Sequence, residues 1–121
     1  MFFQGRSFKT MEAGVNATWT QQQVHSQNIA NYETPGYKAR GVAFSNVLAR
    51  TRGAQGKRLG GNTLARVIEN DDTTIRPDGN NVDMDAESLS LYKAYVHYSL
   101  LLDKIKSEIN NHSYVINNAP R

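Results

Sequence analysis

Three histidines, eleven acidic side chains and no cysteine are the material for chemistry in this chain of 121 residues. His25, His97 and His112 do not stand at H-x-x-x-H or H-E-x-x-H spacing, so they do not read as a metal set. His97 and His112 read as helix-surface or packing residues. Asp83 and Asp85 could form a carboxylate pair for acid–base work. They open a helical run, however, where carboxylates favour the helix dipole and Asp caps free N–H groups. Asp71 and Asp72 lie in a polar turn without partners. Gly53, Gly56, Gly60 and Gly61 do not spell a phosphate-cradling G-x-x-x-x-G-K-[ST] loop. Without cysteine there is no thiolate nucleophile, thiolate metal site or disulfide scaffold. No nucleophile, base and orienter assemble from what remains. The sequence points to no enzyme and assigns no catalytic, cofactor-binding or metal residues.

Charge is more informative, because it is segregated. Lys38, Arg40, Arg50, Arg52, Lys57, Arg58 and Arg66 form a basic block with no acid between Thr34 and Ile68, and eight acidic residues against two basic ones follow from Glu69 to Asp103. A nucleic-acid-binding regulator would use the basic block on phosphate. Only Tyr37 and Phe44 are there to stack, and no nucleic-acid motif accompanies them, so no nucleic-acid partner is expected. Opposed blocks instead suit head-to-tail contacts between like subunits, which build open helical filaments. A solvated loop beside a solvated helix start is the plain alternative, and a small coiled-coil adaptor is the rival of another class.

The elements that carry these residues fall into three zones. Residues 1–34 form an N-terminal helix, 35–81 a basic, irregular middle with short β-strands or a hairpin, and 82–121 a C-terminal coiled-coil helix, together one mainly α axial domain. The middle holds seven of the nine glycines and two of the three prolines. Ser7 is the expected cap of the first helix, and Pro35 its expected end, with Pro35-Gly36 suited to a type II turn. On a helical wheel Phe8, Met11, Val15, Trp19, Gln22 and Ile29 share one arc, while Ala13, Ala17 and Val24 lie nearly opposite. In the last helix Met84, Leu91, Tyr95, Tyr98, Leu102, Ile105 and Ile109 follow coiled-coil spacing, and Leu89, Val96, Leu100 and Tyr114 form a second stripe. Two apolar faces on each helix predict several neighbours at once. With 39% hydrophobic residues and a mean hydropathy of −0.59, any single core is thin. The expectation is therefore a marginal monomer whose helices order on association. No apolar run is long enough to span a bilayer, and Met1-Phe2-Phe3-Gln4-Gly5-Arg6 lacks a secretory signal's apolar core.

The segment Asn28-Ile-Ala-Asn-Tyr-Glu-Thr-Pro-Gly-Tyr-Lys-Ala-Arg40 closely resembles the N-terminal motif of the bacterial flagellar rod, hook and hook-associated family, commonly near NIAN-x-x-TPGYK. Arg76-Pro-Asp-Gly-Asn-Asn-Val-Asp-Met-Asp-Ala-Glu87 looks like the opening of the C-terminal helix in a short, proximal-rod member, the other short rod protein being the alternative. Residues 41–75 match nothing specific. The chain departs from the family pattern at His25, Tyr32, Glu33 and Ser88. The resemblance implies a structural subunit exported by the flagellar type III apparatus without a cleavable signal. It would assemble into the periplasmic rod and transmit torque. Its implied partners are itself, other rod proteins, and basal-body base and export-gate components. Carried over by position, Asn28, Ala30, Asn31, Thr34, Pro35, Gly36 and Tyr37 are the implied motif and assembly residues. No cofactor is implied.

Overall fold

The computed structural model describes residues 5–43, 66–71 and 76–119. Two long helices, α1 (Arg6–Ala30) and α2 (Met84–Asn117), lie in close contact, and two short strands, β1 (Arg40–Ala43) and β2 (Arg66–Glu69), sit between them in sequence. The strands pair antiparallel, Arg40 opposite Glu69 and Ala43 opposite Arg66. No described helix is long and apolar enough to cross a membrane. Arg50, Arg52, Lys57, Arg58, Asp72 and the four glycines from Gly53 to Gly61 lie outside the described residues, so the basic block is represented by Lys38, Arg40 and Arg66.

Local chemistry sets the helix ends. Gly5, in extended backbone and with no side-chain bond, caps α1, one turn being closed by Lys9 N–H donating to the Gly5 carbonyl at 3.1 Å. Ser7, the expected cap, is already inside the helix. The other end also departs from expectation: α1 stops at Ala30 rather than running to Pro35. Asn31 closes it, its backbone N–H donating to the Gln27 and Asn28 carbonyls and its side chain donating again to Gln27 at 2.7 Å. Such local side-chain bonding competes with helix continuation. α2 begins as its sequence suggests. Asp83 Oδ1 accepts the N–H groups of Asp85 and Ala86 at 3.1 and 3.3 Å, meeting donors that the first turn leaves free.

The helices run antiparallel, since Gly14 lies against Leu101 near one end and His25 meets Glu87 near the other. The core is thin and built of small residues: Ala17, Val24, Val82 and Ala94 are the buried hydrophobics among the described residues. The larger apolar arc of α1 therefore does not face α2. Trp19 is 52% exposed, and the Ala17–Val24 side makes the contact. Small residues let two helix backbones approach closely, and a Cβ on Gly14 would already stand 3.3 Å from Leu101. In α2 the side turned inward repeats at Met84, Glu87, Leu91, Ala94, Tyr98, Leu101, Ile105 and Glu108, a 3–4 spacing. Four residues of the expected seam (Met84, Leu91, Tyr98 and Ile105) belong to this row and are half-buried. Tyr95, Leu102 and Ile109 lie one position further round and stay 41–57% exposed.

Candidate functional site

Where α1 ends, the two sequence segments that carry the family resemblance meet in one hydrogen-bonded knot. Its centre is Asn28, whose side chain is fully buried. The carboxamide has two donors and two acceptor sites, and all four are used. Nδ2 donates to the Arg40 carbonyl at 2.7 Å and to Glu87 Oε2 at 3.0 Å, while Oδ1 accepts from Arg40 N–H at 3.0 Å and the Tyr37 hydroxyl at 3.1 Å. Arg40 needs this partner. Asn70 N–H donates to the Ala39 carbonyl at 2.9 Å, which puts Arg40 and Glu69 at a position where backbone groups point away from the opposite strand. The N–H and C=O of Arg40 thus face α1, and one side-chain amide satisfies both as a third strand would.

Asn80, equally buried, does the same for the turn that follows α1. Its Nδ2 lies 2.9–3.1 Å from the carbonyl oxygens of Asn31, Tyr32 and Thr34, and its Oδ1 accepts Val82 N–H at 2.8 Å. These carbonyls belong to the C-cap and the turn that carries the chain away from α1. A residue about fifty positions downstream supplies their donor. Asn81 bridges the two strands beyond their ladder, accepting from Ala39 N–H at 2.6 Å and donating to the Asn70 carbonyl at 2.7 Å. Arg76 Nη2 also donates to the Tyr32 carbonyl, and its guanidinium stacks 3.8 Å from the Tyr32 ring centroid. Stacking of this kind adds a cation–π attraction.

Two glycine turns close the knot. Tyr37 N–H donates to the Thr34 carbonyl at 3.3 Å around Pro35-Gly36, with Gly36 at φ 70°, the geometry of the type II turn that the sequence predicts. Opposite it, Gly79 N–H donates to the Arg76 carbonyl at 3.0 Å, with Gly79 at φ 86°. The turns touch: Gly36 N–H donates to the Asp78 carbonyl at 3.0 Å, and a Cβ on Gly79 would stand 3.6 Å from the Gly36 Cα.

One ionisable pair joins the helices beside Asn28. His25 Nδ1 lies 2.6 Å from Glu87 Oε2, the ring nitrogen donating to the carboxylate. Glu87 is held by Asn28 as well, and no described residue stands ready to relay a proton further. No group of three His, Cys, Asp or Glu among the described residues is placed to hold a metal. The arrangement binds the end of α1 to the start of α2.

Of the motif residues, Asn28, Asn31, Thr34, Gly36 and Tyr37 take part in the knot, Thr34 through its hydroxyl donating to Asn31 Oδ1 at 3.1 Å. Ala30 and Pro35 are exposed. The motif's place at a helix end predicts that Asn28 serves helix carbonyls, and it serves β1 instead. Sequence reasoning does not assign His25, Arg76, Asn80, Asn81 and Glu87 to this site. The one signal for Arg76, Asn80, Asn81 and Glu87 is their place in the second motif, where Asp78-Gly79-Asn80-Asn81 reads as a turn and not as a partner of the distant chain after α1, while His25 stands out only as a departure from the family pattern.

Comparison with known proteins agrees with the family resemblance. The family model of the flagella basal body rod protein matches residues 8–38, which span α1 and the first glycine turn. Over most of its length the chain is similar to proteins described as flagellar basal body rod protein FlgB. That of Bacillus subtilis (strain 168) is 26% identical over 118 residues, covering 87% of this chain and 88% of the relative. That of Buchnera aphidicola (subsp. Acyrthosiphon pisum, strain APS) is 30% identical over 123 residues, covering 90% and 92%. That of Aeromonas hydrophila is 30% identical over 99 residues, covering 73% and 75%.

Proposed function

The chain belongs to the flagellar basal body rod protein family, as a structural subunit of the rod, and on that premise we propose that it occupies the proximal rod and assembles there helically through α1 and α2. It works by binding alone and transmits torque through its helix contacts. It reaches the periplasmic rod through the flagellar export apparatus, and its neighbours are its own copies, other rod proteins and components of the base and export gate. The observation that carries this reading is the division of labour in the fold. The asparagine knot fixes α1 to α2 by polar bonds, while large apolar side chains (Tyr95, Leu102 and Ile109 among them) remain outside the thin internal core. A subunit that must bury its apolar surface against neighbours has this form.

The test is incorporation. In a flagellated host lacking its own version of this subunit, the tagged chain is expected in purified basal bodies. Leu102→Asp is expected to be exported and yet absent from them, with motility lost. A wild-type chain missing from basal bodies overturns the rod assignment, and normal incorporation of Leu102→Asp removes that residue from the seam.

A further inference from the structure

Asp78-Gly79 is the one place in the chain where an aspartate or an asparagine is followed by glycine. We propose that it is a self-modification site. An isoaspartate linkage forms there while the chain is open, and the asparagine knot holds the same two residues in a form that does not react. The chemistry is the chain's own and stands or falls apart from rod assembly.

The reaction needs water and nothing else. The Gly79 backbone nitrogen attacks Cγ of the Asp78 carboxyl group, and a carbon–nitrogen bond forms. The proton of that nitrogen and the hydroxyl of the carboxyl group leave together as water, which closes a five-membered succinimide. Water then adds to one of the two ring carbonyls. Attack at Cγ restores aspartate. Attack at the former backbone carbonyl leaves the main chain running through Cβ and Cγ, with a free α-carboxylate beside it. Composition and redox state are unchanged. Glycine after the aspartate favours ring closure, since no Cβ crowds the nitrogen and the backbone turns freely about it.

The structure exposes this pair and also locks it. Asp78 is exposed, so water reaches it. The attacking nitrogen, however, is engaged, because Gly79 N–H donates to the Arg76 carbonyl at 3.0 Å. Asp78 Oδ1 accepts Asn80 N–H at 3.0 Å, which fixes the rotation of the carboxylate. The Asp78 carbonyl accepts Gly36 N–H at 3.0 Å, which fixes the peptide plane that ring closure has to turn. Just beyond, Asn80 is buried and tied to the carbonyls of Asn31, Tyr32 and Thr34. Closing the ring breaks these bonds together. It therefore waits for the knot to open, and its rate follows the open fraction.

The product does not fit back. Isoaspartate adds one carbon to the main chain, about 1.5 Å, in a turn where a Cβ on Gly79 would stand 3.6 Å from the Gly36 Cα. The carbonyl that receives Gly36 N–H becomes a free carboxylate, and the oxygen that receives Asn80 N–H becomes part of the new peptide bond. Asn80 is displaced from its three carbonyls. Chains that close early are spared, and chains that stay open too long lose the ability to tie the knot.

Isoaspartate leaves the mass unchanged, but an endoprotease that cuts before aspartate passes over it, and the cut before Asp83 serves as the internal standard. Purified full-length wild type is kept in warm neutral buffer with and without guanidinium chloride and digested over time. The cut before Asp78 should disappear about tenfold faster in denaturant, with the cut before Asp83 retained. Asn80→Ala in plain buffer should react at an intermediate rate. Should it lose its helical circular dichroism, Asn28→Ala, which loosens the knot without touching the Asp78 turn, takes its place. The isoaspartyl chain, separated by ion exchange, should unfold at a lower denaturant midpoint than the unmodified chain. Equal rates with and without denaturant overturn the proposal, as does a variant that keeps the wild-type rate in buffer. Loss at Asp78 no faster than at Asp83 in denaturant overturns it too. An unchanged unfolding midpoint overturns the untying of the knot. None of these outcomes touches the rod assignment, which basal-body incorporation decides.

Discussion

Asn28 and Asn80 do with side chains what secondary structure does with backbone. Each sits fully buried among backbone groups that it bonds: the outward-facing N–H and C=O of Arg40 for one, the carbonyls of the turn that follows α1 for the other. Leaving such groups unmet costs about 1–3 kcal/mol each. Asn28→Ala and Asn80→Ala are therefore expected to lower unfolding free energy by about 2–4 kcal/mol in urea titrations followed by circular dichroism. Asn31→Ala removes bonds at the helix surface, where water substitutes, and should cost less than about 1 kcal/mol. Equal small losses at all three positions would show that the knot is not what holds the ends together.

At the scale of elements, the governing contact is the close approach of α1 and α2 over Gly14, Ala17 and Ala94. Gly14 weakens its helix by about 1 kcal/mol relative to alanine, and its retention makes room for Leu101. Gly14→Ala is expected to change stability by less than about 0.5 kcal/mol, propensity gained against crowding incurred, whereas in a Leu101→Ala background the same change should stabilise by about 1 kcal/mol. A double-mutant cycle reads the difference, and full additivity would mean the two sites do not meet. This contact also marks the limit of what is legible in the sequence. Periodicity locates both helices, Asp83 announces the start of α2, and Pro35-Gly36 announces the turn. Which of the two apolar faces of α1 approaches α2 is not legible, because small volume rather than hydrophobicity decides it. The roles of Asn80 and Asn81 are hidden for another reason: their partners at Asn31, Thr34 and Ala39 lie some forty to fifty residues away, beyond any local pattern.

In the whole molecule, order is concentrated at one end. The knot binds the end of α1, the start of α2 and the paired strands, whereas α2, at 34 residues against 25, extends past the first turn of α1. Its final residues, Tyr114, Val115 and Ile116, are 65–75% exposed. Hydrogen exchange on the dilute chain should show the amides of Arg40 and Val82 among the slowest and those of residues 110–117 among the fastest. Assembly should slow the second group most. Uniform protection in dilute solution would contradict so thin a core. Beyond these measurements, the make-up of the joint has a bearing on where it can operate. Carboxamides, carbonyls and a phenol supply most of its bonds, and neutral dipoles at contact distance are scarcely weakened by dissolved ions that readily screen exposed charges. The angle between the two struts is thus set mainly by parts indifferent to brine or fresh water, whereas the exposed Arg40–Glu69 ion pair on the strands beside them is a contact that dissolved salt weakens.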